Sequence, residues 1–180
     1  MRRNKNIVIL SHCLLNCNSK VEGLANYKGS LKELIDYIIN KDYGIIQLPC
    51  PELTLYGVKR WGHVKEQFDT PYYRKHCRKI LIPYIEQIKD YIKNDYNIKS
   101  IIGVDGSPSC GVNKSCFSSK WGGTLSRERD LKDEVCIKSQ KGVFVEEFAR
   151  LLNKENVDIE FRAIDENYPK KSINFIKNHL

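Results

Sequence analysis

Three of the cysteines stand in short segments rich in proline, glycine and serine, directly after apolar stretches. They are Cys13 in "ILSHCLLN", Cys50 in "IIQLPCPEL" and Cys110 in "GVDGSPSCGVN". Proline and glycine interrupt regular structure and permit tight turns, whereas a thiol that merely fills a core has no need of such neighbours. Rigid loops suit a ligand shell that must hold its geometry. The pattern favours a metal or cluster centre over three unrelated core thiols.

The hydrophobic pattern predicts alternating strands and helices that bring these segments together. Strands are predicted for residues 6–12, 43–49, 98–104 and 157–164, and helices for residues 30–40, 69–94, 142–156 and 169–180. This order predicts one domain over residues 1–180, a three-layer Rossmann-like α/β fold with a mostly parallel sheet of four or five strands. Ligands bind such sheets outside the carboxyl ends of the strands. The three cysteines are therefore expected at one edge of the sheet.

Several local expectations accompany this fold. His12 is expected to end the first strand, where it either satisfies a backbone group or tunes a neighbouring centre. Ser30 and Glu33 have the spacing of a capping box at the start of a helix. A polar segment from about residue 105 to residue 135 has four glycines after Asp105 and almost no periodic apolar signal. Such a segment is typical of a functional lid or loop.

The remaining thiols and the tryptophans have less specific surroundings. Cys77 lies on the apolar stripe of its helix and is expected in the core. The sequence neighbours of Cys136 do not indicate a reactive or metal-binding site. Cys17 and Cys116 are predicted to be loop thiols, with a role as spare ligand or sulfur carrier left open. Trp61 and Trp121 either pack loops onto the body or stack on a flat ligand.

Composition limits the cellular setting and the partners. The chain has 180 residues, of which 41% are hydrophobic, and no apolar run approaches the length needed to span a bilayer. We expect a cytoplasmic protein, in which seven cysteines favour metal binding or thiol chemistry over disulfides. The formal charge of +8 is spread along the chain and is expected on solvated helix faces. An RNA-binding or RNA-modifying module is the alternative that this charge leaves open.

Three converging thiols have two inorganic uses. The chain has no "CxxC" pair of a zinc finger and no compact cysteine run of a bacterial ferredoxin. A [4Fe–4S] cluster held by three cysteines keeps one iron open to substrate, and that iron acts as a Lewis acid. A three-cysteine zinc site with an open fourth position, as in a zinc-dependent hydrolase, is the alternative. Spacing alone does not separate the two.

The segments "SHCLL", "CPE" and "SPSCG", in this order on an α/β pattern of this size, resemble the thiouracil desulfidase family. The resemblance covers the chain from about Ile7 to Gly111. It implies a [4Fe–4S] cluster held by Cys13, Cys50 and Cys110, with the open iron taking sulfur from a thiolated base. It also implies that Glu52 and Ser107 serve the chemistry.

The residue types agree with these implied roles. Replacing the sulfur of a C=S group with oxygen requires an activated water and a proton donor, and Glu52 is two residues from a cysteine of the site. Ser107 is suited to hydrogen-bonding the substrate or orienting the water. Because His12, Asp105 and the segment after Glu52 depart from the family's usual pattern, the expected substrate is a small thiolated compound, thiouracil or another thio-heterocycle.

Overall fold

The structure is a computed structural model, and it describes residues 2–122 and 134–180. The strands are β1 (Asn6–Leu10), β2 (Gly44–Gln47), β3 (Asn97–Asp105), β4 (Ser115–Phe117), β5 (Cys136–Lys138) and β6 (Phe161–Asp165). The helices are α1 (His12–Leu15), α2 (Lys32–Asn40), α3 (Pro51–Tyr56), α4 (Lys65–Phe68), α5 (Pro71–Lys93), α6 (Val143–Lys154) and α7 (Pro169–His179). Among these helices, none combines the length and the apolar composition that crossing a bilayer requires.

Four parallel strands form the central sheet in the order β2-β1-β3-β6. Alternate residues of β1 pack on opposite faces, because side chains along a strand point to opposite sides. Ile7 and Ile9 join a core with α5 and α6, whereas Val8 and Leu10 join a second core with α2 and α7. The predicted three-layer α/β fold is confirmed, with four strands in its parallel sheet.

The strand order creates a crevice at the carboxyl end of the sheet. From β1 the chain adds β2 on one side and then crosses to add β3 on the other side of β1. The loops that leave β1 and β3 therefore diverge. The gap between them is the topological switch point, where open α/β sheets bind their ligands. Cys13 follows β1, Cys50 follows β2 and Cys110 follows β3. The topology puts all three segments at this end of the molecule.

Two local predictions about the first loops are wrong. His12 does not end β1 but begins α1, because Ser11 donates its N–H to the Ile102 carbonyl and the chain then turns into a helix. Ser30 does not cap α2, which begins at Lys32 without a side-chain cap. The Leu31 N–H instead donates to the Leu14 carbonyl at 2.8 Å. This tertiary hydrogen bond fixes Leu31 in a non-helical conformation, so the helix begins one residue later.

The segment predicted as a polar lid has regular structure in its described parts. β4 pairs with β5 as an antiparallel ribbon, in the register Cys116 to Ile137. Residues 123–133 of the predicted lid lie outside the described residues. The helix predicted to begin after Thr70 is confirmed, since the Thr70 side chain accepts the Tyr73 N–H at the start of α5.

The turn that carries Cys110 is held by two polar side chains. Asp105 accepts, through one carboxylate oxygen, the backbone N–H groups of residues 112, 113 and 114 at 3.0, 2.8 and 3.2 Å. The Ser107 hydroxyl accepts the N–H groups of Ser109 and Cys110 at 3.3 and 3.0 Å. The first turn of α6 supplies the complementary donors, because Val143, Phe144 and Val145 donate to the carbonyls of residues 108 and 109. The otherwise unpaired N–H groups of that helix end are thereby satisfied.

Three glycines let other backbone segments approach this turn closely. A Cβ on Gly103 would lie 2.4 Å from the Cys110 carbonyl oxygen, and one on Gly142 would lie 2.4 Å from the carbonyl group of Ser109. A Cβ on Gly111 would lie 2.1 Å from the Lys114 carbonyl oxygen. Because the obstructing atoms are backbone atoms, a side chain at any of these positions requires the turn to move.

We therefore expect Gly103→Ala to destabilise the protein by about 2 kcal/mol or more, as overpacking against backbone does. Urea unfolding of the variant and the parent measures the difference. Gly29→Ala is the matched control, since a Cβ at Gly29 meets no atom within 4 Å. Equal stability of the two variants would contradict the close packing of β3 against the Cys110 turn.

Candidate active site

Cys13 lies in the short helix α1, next to the end of β1. The Tyr27 hydroxyl donates to its carbonyl oxygen at 3.1 Å and so joins α1 to the following loop. Burial raises the pKa of the Cys13 thiol to about 12, and nearby Lys20 acts in the opposite direction. The neutral thiol is thus favoured at this position.

Cys50 caps the short helix α3 between two prolines. Its sulfur accepts the N–H of Leu53 at 3.4 Å, while Pro51 occupies the first position of the helix. Burial, followed by nearby Glu52, raises the pKa of Cys50, and Arg60 opposes this rise. The rigid Pro-Cys-Pro unit explains why β2 ends where it does, because neither proline donates to the sheet.

The three thiols of Cys13, Cys50 and Cys110 act on one another electrostatically. Burial raises the pKa of Cys110 well above 9.0, and the nearby thiols of Cys13 and Cys50 raise it further. The Ser11 side chain lowers it by hydrogen bonding to the Cys110 sulfur. The structure therefore brings together, from the ends of three adjacent strands, the cysteines that the sequence pattern singled out.

Glu52 is the centre of a buried hydrogen-bond network beside these thiols. One carboxylate oxygen accepts from the Ser109 hydroxyl, and the other accepts from Arg60 Nε at 3.2 Å. The Tyr73 hydroxyl lies 3.1 Å from Ser109 Oγ. Arg60 is almost fully buried and also donates to the Ser19 carbonyl at 2.6 Å. A carboxylate held from both sides has a fixed orientation, as a group that transfers protons requires.

Ser109, Tyr73 and Arg60 were not predicted from the sequence. Ser109 precedes Cys110 directly, and this adjacency was the one signal that could have identified it. Tyr73 and Ser109 are distant from Glu52 in the sequence, so nothing else in the sequence indicates that they contact its carboxylate. The catalytic roles predicted for Glu52 and Ser107 stay predictions, with Ser107 observed as a backbone acceptor within the Cys110 turn.

A second ion pair, between Lys20 and Glu166, lies beside Cys13. Glu166 follows β6 directly, and the side chains of Lys20 and Glu166 are 12% and 15% exposed. The Lys20 ammonium lies over the ring of Tyr27, 5.4 Å from its centroid. Burial raises the pKa of the Tyr27 hydroxyl, and Cys13 and Glu166 raise it further as neighbouring acidic groups. The fourth parallel strand thus also contributes a charged group to this edge of the sheet.

The other thiols have different partners. Cys17 is buried and donates to the Tyr27 carbonyl at 2.8 Å. Cys116 Sγ lies 3.6 Å from the His63 carbonyl oxygen. Burial is the main cause that raises the pKa of the Cys116 thiol to about 11, and nearby Glu52 raises it further. Cys77 is fully buried in the core, as predicted. Cys136 is exposed.

His12 and Trp121 have structural partners, whereas Trp61 is exposed. His12 Nδ1 lies 3.3 Å from the Leu48 carbonyl oxygen. Of the two roles predicted for His12, this contact agrees with the one in which the side chain satisfies a backbone group. The Trp121 indole donates to the Gly62 carbonyl at 3.0 Å and so ties two loops together. Trp61 is 83% exposed.

The described residues contain no ready site for a single metal ion. Among residues 2–122 and 134–180, no three His, Cys, Asp or Glu side chains lie together in an arrangement that could hold one. A [4Fe–4S] cluster is larger than a single ion and takes its thiolates at separate corners. The three thiols, with no histidine among them, are the donor set that such a cluster takes.

Comparison with known proteins agrees with the fold. A scan against models of known protein families gives no match. The chain is similar in structure to the [4Fe-4S]-dependent thiouracil desulfidase TudS, with a TM-score of 0.54, 16% identity, and coverage of 96% of this chain and 99% of that one. The predicted resemblance to the thiouracil desulfidase family is confirmed at the level of the fold.

The sequence relationship is closer to an archaeal protein. Over 175 residues, which are 97% of this chain and 93% of the relative, it is 34% identical to the uncharacterized protein MJ0003 of Methanocaldococcus jannaschii. Identity of this extent over nearly the whole length of both chains means that this chain belongs to the same family as MJ0003, a family with the fold of the thiouracil desulfidase.

Proposed function

We propose that this protein is a [4Fe–4S]-dependent desulfidase that exchanges the sulfur of a small thiolated compound for oxygen. The observation that carries the proposal is the convergence of Cys13, Cys50 and Cys110 at the switch point of a parallel sheet. The fold shared with TudS, a protein described as a [4Fe-4S]-dependent thiouracil desulfidase, supports it. A zinc centre on the same cysteines has less support, because the described thiols are not arranged around a single ion.

The overall reaction consumes one water and releases the sulfur as hydrogen sulfide, so it needs no oxidant or reductant. A cluster held by three thiolates supplies, when bound, one open iron that acts as a Lewis acid toward sulfur. The protein must then activate a water that attacks the C=S carbon, and must deliver a proton to the leaving sulfur or to a ring nitrogen.

Glu52 is the group best suited to move these protons. Its carboxylate lies beside Cys50 and Cys110 and is oriented by Ser109 and Arg60. Each carboxylate oxygen has a second lone pair, so a water can still bind. In this role Glu52 takes a proton from the attacking water and returns it later, as a general base and then an acid. Ser107 hydrogen-bonds the substrate or the water with its own O–H.

The cluster assignment is tested with Cys110→Ser. We expect the anaerobically prepared variant to lose most of its iron and acid-labile sulfide, together with the brown colour of the parent. The reason is that one of the three proposed cluster ligands has been removed. Cys136→Ser is the control, since that thiol is exposed. Iron content equal to that of the parent in Cys110→Ser, or zinc without acid-labile sulfide in the parent, would contradict the proposal.

Glu52→Gln tests the proton-transfer role. We expect the variant to keep its iron and to lose activity on a thiolated heterocycle such as 2-thiouracil by about 100-fold or more, as removal of a general acid–base does. Glu86→Gln, on the exposed face of α5, is the control. Full activity in Glu52→Gln would exclude this role, whatever its iron content.

The raised thiol pKa values predict a pH dependence for the metal-free protein. Unfolded cysteine ionises near pH 9.0, whereas folded Cys13 stays neutral to about pH 12. The contribution of this thiol to stability is therefore complete below pH 9 and declines as the pH rises toward 12, by about 1 kcal/mol at pH 10.

Urea unfolding at pH 8 and pH 10 measures this decline. In Cys13→Ser, which has no titrating group at that position, the decline should be smaller than in the parent. Cys136→Ser should behave as the parent does. An identical decline in Cys13→Ser and the parent would show that the Cys13 thiol is not buried as described.

A further inference from the structure

The Lys20–Glu166 pair has a carboxylate oxygen that nothing in the described chain uses. One oxygen of Glu166 accepts from Lys20. The other, Oε1, is buried and has no hydrogen-bond partner among residues 2–122 and 134–180. An acceptor that is buried and unpaired costs free energy, so its presence beside a reactive site indicates a donor that arrives with a ligand.

Lys20 places a hydrogen-bond donor beside this acceptor. Its ammonium donates to Glu166 and, at 3.3 Å, to the Leu24 carbonyl. An ammonium group has three N–H donors, so a third remains for a ligand. Lys20 and Glu166 together offer one donor and one acceptor side by side, in a setting largely closed to water.

This donor–acceptor pair lies next to Cys13. The charges of both Lys20 and Glu166 act on the Cys13 thiol. The Tyr27 hydroxyl donates to the Cys13 carbonyl, and the Lys20 ammonium lies over the Tyr27 ring. Glu166 lies near the Tyr27 hydroxyl and raises its pKa further. A ligand bound to this pair therefore has its other atoms close to the proposed cluster.

Glu52 does not offer the same recognition. Both of its oxygens already accept from protein donors, one from Ser109 and one from Arg60. Among the described residues, Glu166 keeps one oxygen without a hydrogen-bond donor, because the nearby Tyr27 hydroxyl donates its proton to the Cys13 carbonyl instead. The two carboxylates of the site are thus built for different tasks, Glu52 for an oriented proton transfer and Glu166 for holding a donor group.

We propose that Lys20 and Glu166 bind the substrate by its ring amide edge, with Glu166 Oε1 accepting a ring N–H and Lys20 donating to the adjacent carbonyl. This proposal rests on the proposed function and narrows its substrate to neutral heterocycles that carry an N–H beside a C=O or C=S group. An anionic ligand such as a carboxylate or phosphate would meet the charge of Glu166 and is disfavoured.

Binding of uracil and of 1,3-dimethyluracil, measured by calorimetry on anaerobically prepared protein, tests this proposal. Neither probe contains sulfur, so the measurement does not depend on turnover. We expect the parent to bind uracil about tenfold more tightly than its dimethyl derivative, which lacks ring N–H groups. Glu166→Gln should reduce this preference, because the charged acceptor is gone.

A double variant, Lys20→Met with Glu166→Met, guards against a folding defect. It removes both charges together, so neither is left buried without its partner. It should fold and keep the iron of the parent, and bind the two probes equally. Glu22→Gln and Lys28→Met, two exposed positions on the same loop, should keep the preference of the parent.

The outcomes separate this proposal from the proposed function. If the parent contains iron and desulfurises 2-thiouracil but does not prefer uracil over its dimethyl derivative, or if the double variant keeps the preference, recognition by Lys20 and Glu166 is wrong and the desulfidase assignment stands. If the parent contains no iron but prefers uracil through Glu166, recognition is supported and the desulfidase assignment fails.

Discussion

The structure depends on the placement of three partly or fully buried thiols at the carboxyl ends of β1, β2 and β3. Burial raises the pKa values of all three, so neutral thiols are favoured at these positions. The proposed cluster would reverse this preference, because a cationic centre binds thiolates and releases their protons. The close backbone contacts around the Cys110 turn restrict its movement, as the ligand shell of the proposed cluster requires.

Two largely buried ion pairs balance the charge around these thiols. Arg60 pairs with Glu52, and Lys20 pairs with Glu166. Arg60 also donates to the carbonyl of Ser19, the residue before Lys20, so the backbone connects the two pairs. Removing one partner of such a pair leaves an uncompensated buried charge, which costs far more than removing both. The site is therefore sensitive to single charge changes, and our proposals assign different functions to its two carboxylates.

The sequence was sufficient for the parts of the fold that repeat a simple pattern. Apolar runs identified β1, β2 and β3, alternation of apolar and polar residues identified β6, and Thr70 before Pro71 identified the start of α5. Order along the chain then brought Cys13, Cys50 and Cys110 together through topology alone. Ser30 failed as a cap because a tertiary hydrogen bond at Leu31 overrides the local signal. Glu166 could not be predicted either, since its partner Lys20 is 146 residues away and neither has a distinctive neighbourhood.

The two serines of the segment "SPSCG" show why a motif does not assign roles to its members. The Ser107 oxygen accepts two backbone N–H groups of the turn, so it helps to fix Cys110, and only its O–H remains for a ligand. Ser109 donates to Glu52, so the Tyr73 hydroxyl must donate to Ser109. A chain of hydrogen bonds thus runs from the core helix α5 to the carboxylate. In the proposed mechanism, Ser109 therefore acts through Glu52, whereas Ser107 is the serine whose proton is available to a substrate.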